Sequence, residues 1–180
     1  MDSLDFYQVS NNLNGMIGYS FGDNEKTRSL MFNVGYQKIN NTSNREGGGE
    51  LSDFISGNAG YTHGFASDLT ITTSVNANIN NASQMKTVYW GPSLGVGKMF
   101  LEKTLRTGIN CAYNQSILNG KSDAPVLSTG LNASWTPQTK DKKAARHNLN
   151  YNMSWIQRFK SETRPSRNEL TAALGYGYRF

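Results

Sequence analysis

The chain has little from which to build a metal centre, a disulfide frame or a helical membrane anchor. One of its 180 residues is cysteine, Cys111, so no internal disulfide can form, and no Cys/His cluster has zinc-like spacing. Only two histidines occur, His63 and His147, and neither has a metal-ligating neighbour at a useful spacing. No run approaches the roughly 18 apolar residues that a spanning helix needs, which excludes helical insertion. The first residues, Met1-Asp2-Ser3-Leu4-Asp5, lack the basic start and apolar stretch of a signal peptide. An exported protein would therefore be numbered here from after processing or from inside a longer chain.

Apolar residues make up only 37% and the mean hydropathy is -0.57, which is poor material for a packed soluble interior even though 19.9 kDa suffices for one domain. The net charge of +5 and pI near 9.3 raise the possibility of nucleic acid as a partner. The basic residues are scattered, however, and no nucleic-acid motif accompanies them, so none is expected.

What the chain has in quantity is Gly, Asn, Ser and Thr, set in alternation with apolar residues. Leu69, Ile71, Val75, Ala77 and Ile79 alternate with Thr70, Thr72, Ser74, Asn76, Asn78 and Asn80, a period-two pattern that only a strand produces. The same reading gives strands over about Asp5 to Phe21, around Leu30 to Gln37, over Leu51 to Phe65, from Val88 to Phe100 and from Leu105 to Ile117. It continues through Leu127 to Trp135, Leu149 to Phe159 and Leu170 to Phe180. These nine strands are mostly longer than the roughly 9 to 11 residues that cross a bilayer as a tilted strand. Short turns are expected at Gly22 to Lys26, Ala66 to Asp68 and Leu101 to Lys103. Longer loops are expected at Asn40 to Glu50, around Asn81 to Lys86, at Asn119 to Ala124 and at Lys160 to Arg167. Pro137 to His147 breaks this alternation of short and long.

The last strand, L-T-A-A-L-G-Y-G-Y-R-F, puts Leu170, Ala172, Leu174, Tyr176, Tyr178 and Phe180 on one side. It resembles the C-terminal assembly signal of bacterial outer-membrane β-barrels, in which a Gly, here Gly175, precedes alternating aromatics, here Tyr178 and Phe180, with Phe last. The match departs at Ala173, where that family more often has a polar residue. The resemblance implies an all-β, transmembrane, antiparallel up-and-down barrel in the bacterial outer membrane, with outer-membrane lipid and the barrel-assembly machinery as partners. The abundance of Asn with modest acidity resembles barrels of Bacteroidota-type bacteria.

Aromatic placement agrees with two interfacial girdles. With the last strand taken as descending, the descending strands end in Tyr19 and Phe21, Tyr61 and Phe65, Phe100, Trp135, and Tyr176 and Tyr178. Tyr36, Trp90, Tyr113, Trp155 and Phe159 mark the opposite level. Trp90 and Phe100 are ten residues apart, or about 26 Å along the axis at about 3.4 Å per residue and roughly 40° tilt. An apolar band of about 25 Å between girdles has that height.

The opposite face is the candidate site. Arg106, Arg158 and Arg179 fall there with Asn76, Asn78, Asn110, Asn132, Asn150 and Asn152. In a wide barrel these line a wet, mildly cationic lumen for small solutes or export. In a narrow one they fill it by hydrogen bonding, and the protein is an anchor or a subunit of a secretion or surface-assembly complex with other outer-membrane or periplasmic partners. Enzyme signatures are absent, and no cofactor or metal is expected. A serine hydrolase would need His63 beside Ser56 or Ser67; the alternative is that His63 sits in the girdle beside Tyr61 and Phe65. The basic turn Lys140, Lys142, Lys143 and Arg146 reads as a solvated turn or a contact to lipid phosphates or to a periplasmic partner. A soluble sugar-binding sandwich also alternates, but leaves the two aromatic levels unexplained.

Nine strands conflict with the even numbers of single-chain bacterial barrels. The chain therefore reads as one domain over 1–180, the C-terminal part of a larger barrel. The competing reading closes eight strands from Arg28 to Phe180 and leaves residues 1 to 26 as an accessory segment.

Overall fold

A computed structural model describes residues 6–23, 26–43, 49–83, 85–137, 146–161 and 165–179. The strands are β1 (Phe6–Gly22), β2 (Thr27–Ser43), β3 (Gly49–Gly64), β4 (Leu69–Ala82), β5 (Met85–Phe100), β6 (Leu105–Leu118), β7 (Lys121–Ser122), β8 (Val126–Trp135), β9 (Arg146–Arg158) and β10 (Arg167–Arg179). They form one antiparallel up-and-down sheet in sequence order, with the two-residue β7 hung on the end of β6. Nine of the ten are the long strands expected from the alternation. The first is paired with β2 along its whole length, from Phe6 opposite Ser43 to Gly22 opposite Thr27, so it is an integral strand of the sheet.

Each register keeps like faces together. Leu13 stands opposite Tyr36, Tyr36 opposite Ile55, and Ile55 opposite Ile79. Val96 is opposite Ile109, Ile109 opposite Leu131, and Leu131 opposite Met153. Because directly opposed residues share a side of the pleat, the apolar halves of all nine long strands merge into one surface, and a slip of one residue anywhere would mix the two.

That surface has nothing packed on it. Among the described residues no hydrophobic side chain is buried, and Leu13, Ile17 and Leu174 are 71%, 71% and 72% exposed. The accessible area of 13574 Å² far exceeds the about 8,700 Å² of a water-soluble protein of this mass. A single layer with one apolar face needs a second apolar phase against it, and none comes from the described residues.

Two expectations change. The connections at one edge are shorter than the sequence implied: β2 runs on to Ser43 and β3 starts at Gly49, and β4 reaches Ala82 before β5 starts at Met85. Asn40 to Ser43 and Asn80 to Ala82 are polar because they lie beyond the apolar band; they remain in the ladder. Loop length thus does not separate the two edges. His147, expected in a turn, belongs to β9 and pairs with Tyr178. Lys140, Lys142 and Lys143 lie outside the described residues, as do Phe180 and the side chains of Arg146 and Arg179.

Candidate functional site

The face opposite the apolar surface is built from small and neutral polar side chains. Asn33, Asn58 and Asn76 stand side by side across β2, β3 and β4. Asn132 opposes Asn152 across β8 and β9. Hydroxyls pair between strands, with Ser74 Oγ 2.6 Å from Ser93 Oγ and Thr62 Oγ1 3.2 Å from Thr72 Oγ1, and Ser52 Oγ donates to Asn80 Oδ1 at 3.2 Å. Opposite the long asparagines stand glycines: Asn132 faces Gly108, and Asn110 faces Gly130. A Cβ at Gly108 would come within 2.5 Å of Asn132 Oδ1. These glycines therefore make room for neighbouring amides to lie flat on the sheet.

Asn76, Asn78, Asn110, Asn132, Asn150, Asn152, Arg106 and Arg158 all alternate onto this face. Their cross-strand neighbours are mostly other polar residues or glycine, the exceptions being Met99 beside Arg106, Ala173 beside Asn152 and Val126 beside Arg158. Arg106 lies near the edge formed by the connections at 65–68 and 101–104, and Arg158 at the opposite edge. We call these the turn edge and the cleft edge.

At the cleft edge the polar face forms a hollow of about 700 Å³, lined among others by Tyr89, Asn114, Ser116, Arg158, Phe159 and Arg167. Arg158 and Arg167 are directly opposed across β9 and β10. Like charges so placed repel, and Glu169 offsets this, its Oε1 being 3.1 Å from Arg167 Nε. One wall is the β6–β8 connection. Asn119 and Gly120, with φ of 49° and 81°, turn the chain into β7, the Asn-Gly signature of a two-residue hairpin. Gln115 Nε2 then donates to Ser122 Oγ at 2.8 Å and to the Asp123 carbonyl at 2.6 Å. The Phe159 amide, just past the end of β9, donates to the Pro125 carbonyl at 3.1 Å. Phe159 thus contributes to the hollow. Sequence reasoning missed Arg167, Tyr89 and Gln115 in this site; the first was read as loop, and the alternation that places Tyr89 beside Asn78 and Ser116 was the available signal.

On the apolar face, the aromatics of the turn edge touch polar partners. Tyr61 Oη lies 3.1 Å from His63 Nδ1, and the His63 ring is 4.1 Å from that of Phe65. His147 Nδ1 is 2.7 Å from Tyr176 Oη, with its ring 5.2 Å from Tyr178. Tyr19 stacks on Phe21 at 5.5 Å. The Arg28 guanidinium lies 5.9 Å over Phe21, and the Lys98 ammonium 5.2 Å over Phe100. Trp135 closes the apolar row of β8 at the same edge. Rings with polar tips and cations beside them suit a boundary between an apolar phase and water. His63 has Tyr61 and Phe65 as its contacts, while Ser56 alternates onto the other face. Tyr36, Trp90, Tyr113 and Trp155 stand nearer the cleft edge; there Tyr36 Oη donates to Asp53 Oδ1 at 3.1 Å. Arg28, Lys98 and Asp53 are further edge residues not singled out from the sequence.

Between β5 and β6 one stretch of ladder is interrupted. Trp90 pairs with Gln115 and Ser93 with Ala112, while Gly91 and Pro92 between them make no paired rung with Tyr113 and Asn114. Proline has no amide hydrogen to offer. Gly91 is buried, and its backbone comes so near the Tyr113 carbonyl that no Cβ fits.

No protein-family model matches the chain, and no curated protein matches it in sequence. Among solved structures it is similar to the beta domain of the Bordetella autotransporter BrkA, with a TM-score of 0.52 and 14% identity over 96% of this chain and 79% of that one. A second similarity, at TM-score 0.44 and 10% identity over 90% of this chain and 64% of the other, is to OmpT, an outer membrane protein of Vibrio cholerae in its trimer form. The antiparallel up-and-down sheet, apolar on one face and polar on the other, has the fold of the bacterial outer-membrane β-barrels.

Proposed function

We propose that this chain works in the bacterial outer membrane with its apolar face against lipid, and that its Asn-, Ser- and Gly-rich face lines a water-filled passage for small polar solutes with a preference for anions. The observation that carries the reading is the charge on that face. Arg106, Arg158 and Arg167 project from its strands, against two described acids near them, Glu169, already bridged to Arg167, and Asp123, in the connection that walls the hollow. Low-dielectric walls around a water column concentrate such a field, so anions are drawn to the mouth and cations held back. The hollow at the cleft edge, with Arg158 in its wall, then forms one mouth of the passage, and the aromatics at the two levels sit among lipid headgroups.

The test is conductance of the purified protein in a planar bilayer under a salt gradient. An open, anion-preferring conductance is expected, and Arg106→Gln with Arg158→Gln should lower the anion-to-cation permeability ratio several-fold without unfolding the protein. A silent bilayer overturns the passage and favours the second reading, an anchor whose amide and hydroxyl pairs fill the interior. A cation-preferring trace overturns the role given to the arginines.

A further inference from the structure

The two outermost strands of the sheet pose a problem that the rest of it does not. Every pairing is antiparallel, so β1, β3, β5, β8 and β10 run one way and β2, β4, β6 and β9 the other. The short β7 runs with β8 and belongs to the same crossing. Nine crossings leave the two edge strands, β1 and β10, pointing in the same direction.

Both edges are long, 17 and 13 residues, and one side of each ladder is unpaired. In hydrocarbon an unpaired backbone amide or carbonyl costs several kcal/mol, so an inserted sheet cannot leave them so. A free edge in water is normally guarded by lysine, proline or an inward charge. The sequence of β1, FYQVSNNLNGMIGYSFG, contains no charged residue and no proline, and β10 is uncharged from Leu170 to Tyr178. Both edges also keep the apolar-polar alternation over most of their length, Asn11 and Met16 in β1 and Asn168 in β10 being departures. They have the chemistry of interior strands.

Joining β1 directly to β10 would create one parallel seam in an otherwise antiparallel sheet. A second copy does not help. Copies inserted the same way across a membrane present edges that all run in one direction, so any seam between them is again parallel.

We infer that the sheet is closed by an odd number of further amphipathic strands of the same polypeptide, one end of the set pairing with β1 and the other with β10. The inference rests on the membrane reading above. About a fifth of the Bordetella beta domain lies outside the match. The closed count is then even, and the polar face encloses a wider lumen than nine strands allow.

The experiment is made on the protein in native outer membranes, in a Cys111→Ser background with Asn14→Cys in β1 and Ala173→Cys in β10, both on the polar face. Three quantities are read: the intact mass of the polypeptide carrying these residues, disulfide formation between the two cysteines, and amide exchange along both edge strands. The expected result is a mass well above 19.9 kDa, no disulfide between positions 14 and 173, and edge amides protected as strongly as those of β4. A mass near 19.9 kDa overturns the inference; protected edges in that case mean that another protein supplies the strands. A disulfide between the two positions overturns it in favour of a parallel seam. Freely exchanging edges in an inserted protein overturn closure altogether. Recovery of the polypeptide outside the membrane fraction would instead sink the membrane reading, and closure with it.

Discussion

The two faces of this sheet share every backbone hydrogen bond and differ in almost everything else. On one, Ile17, Leu94, Ile109 and Leu174 are exposed, with no described residue packed above them. On the other, Ser74 meets Ser93, Thr62 meets Thr72, and Asn110 and Asn132 lie down over glycines. The difference teaches that specificity and stability come from different places here. Sheet order and register are held by the backbone and by the polar pairs, whereas the apolar face contributes only when lipid covers it. In water alone, that face is an aggregation hazard.

The sharpest way to break the contrast is to move one charge between the faces. Leu94→Arg, midway between the aromatics Trp90 and Phe100, should cost about 2–4 kcal/mol of folded stability in a bilayer. Ser93→Arg, one residue earlier and on the polar face, should cost far less and raise anion preference. Urea titrations of refolding into lipid vesicles measure both. Equal losses would mean that the two sides of β5 meet the same medium.

Next in size is Gly91→Ala. The Tyr113 carbonyl occupies the space of the added methyl group, so β5 and β6 must separate at a cost of about 1–3 kcal/mol. The same titration reads it, and a neutral result would show that the close approach is absent in the membrane.

The smallest effect concerns the turn that brings β5 into β6. Leu101, Glu102 and Lys103 all have positive φ, at 52°, 53° and 70°. Left-handed backbone is unfavourable for residues with a Cβ. Glu102→Gly should therefore stabilise the hairpin by about 1 kcal/mol, leaving in place the bridge of 3.3 Å between Lys103 Nζ and Asp68 Oδ1 that ties this turn to its neighbour. A gain seen as a higher urea midpoint confirms that the turn was strained; a loss would mean that the Glu102 side chain matters more than its backbone.

The alternation of the strands was legible in the sequence because a period of two survives every register found. Strand ends were less so. Asn40 to Ser43 and Asn80 to Ala82 read as loop from their polarity, but in this fold polarity marks the exit from the apolar phase, and the ladder continues beyond it. The polar face could be read residue by residue. Its hollow could not, because it depends on the opposition of Arg158 and Arg167 across a connection and on Gln115 leaving the apolar row to hold Ser122 and the Asp123 carbonyl. Among the connections of the cleft edge, Asn119 to Ala124 was read only as a loop, although its Asn119-Gly120 pair, with positive φ at both residues, carries the signature of a two-residue hairpin.

The interrupted rung at Pro92 has a mechanical consequence. A hydrogen-bonded sheet is a thin shell whose stiffness across the strands comes from its rungs, and a shell folds where stiffness is lowest. With two residue pairs unladdered and no side chain on Gly91 to resist compression, the β5–β6 seam is where the sheet should crease, near the hollow. A cylinder built on this sheet would have an angular cross-section, with its corner beside the hollow of the cleft edge.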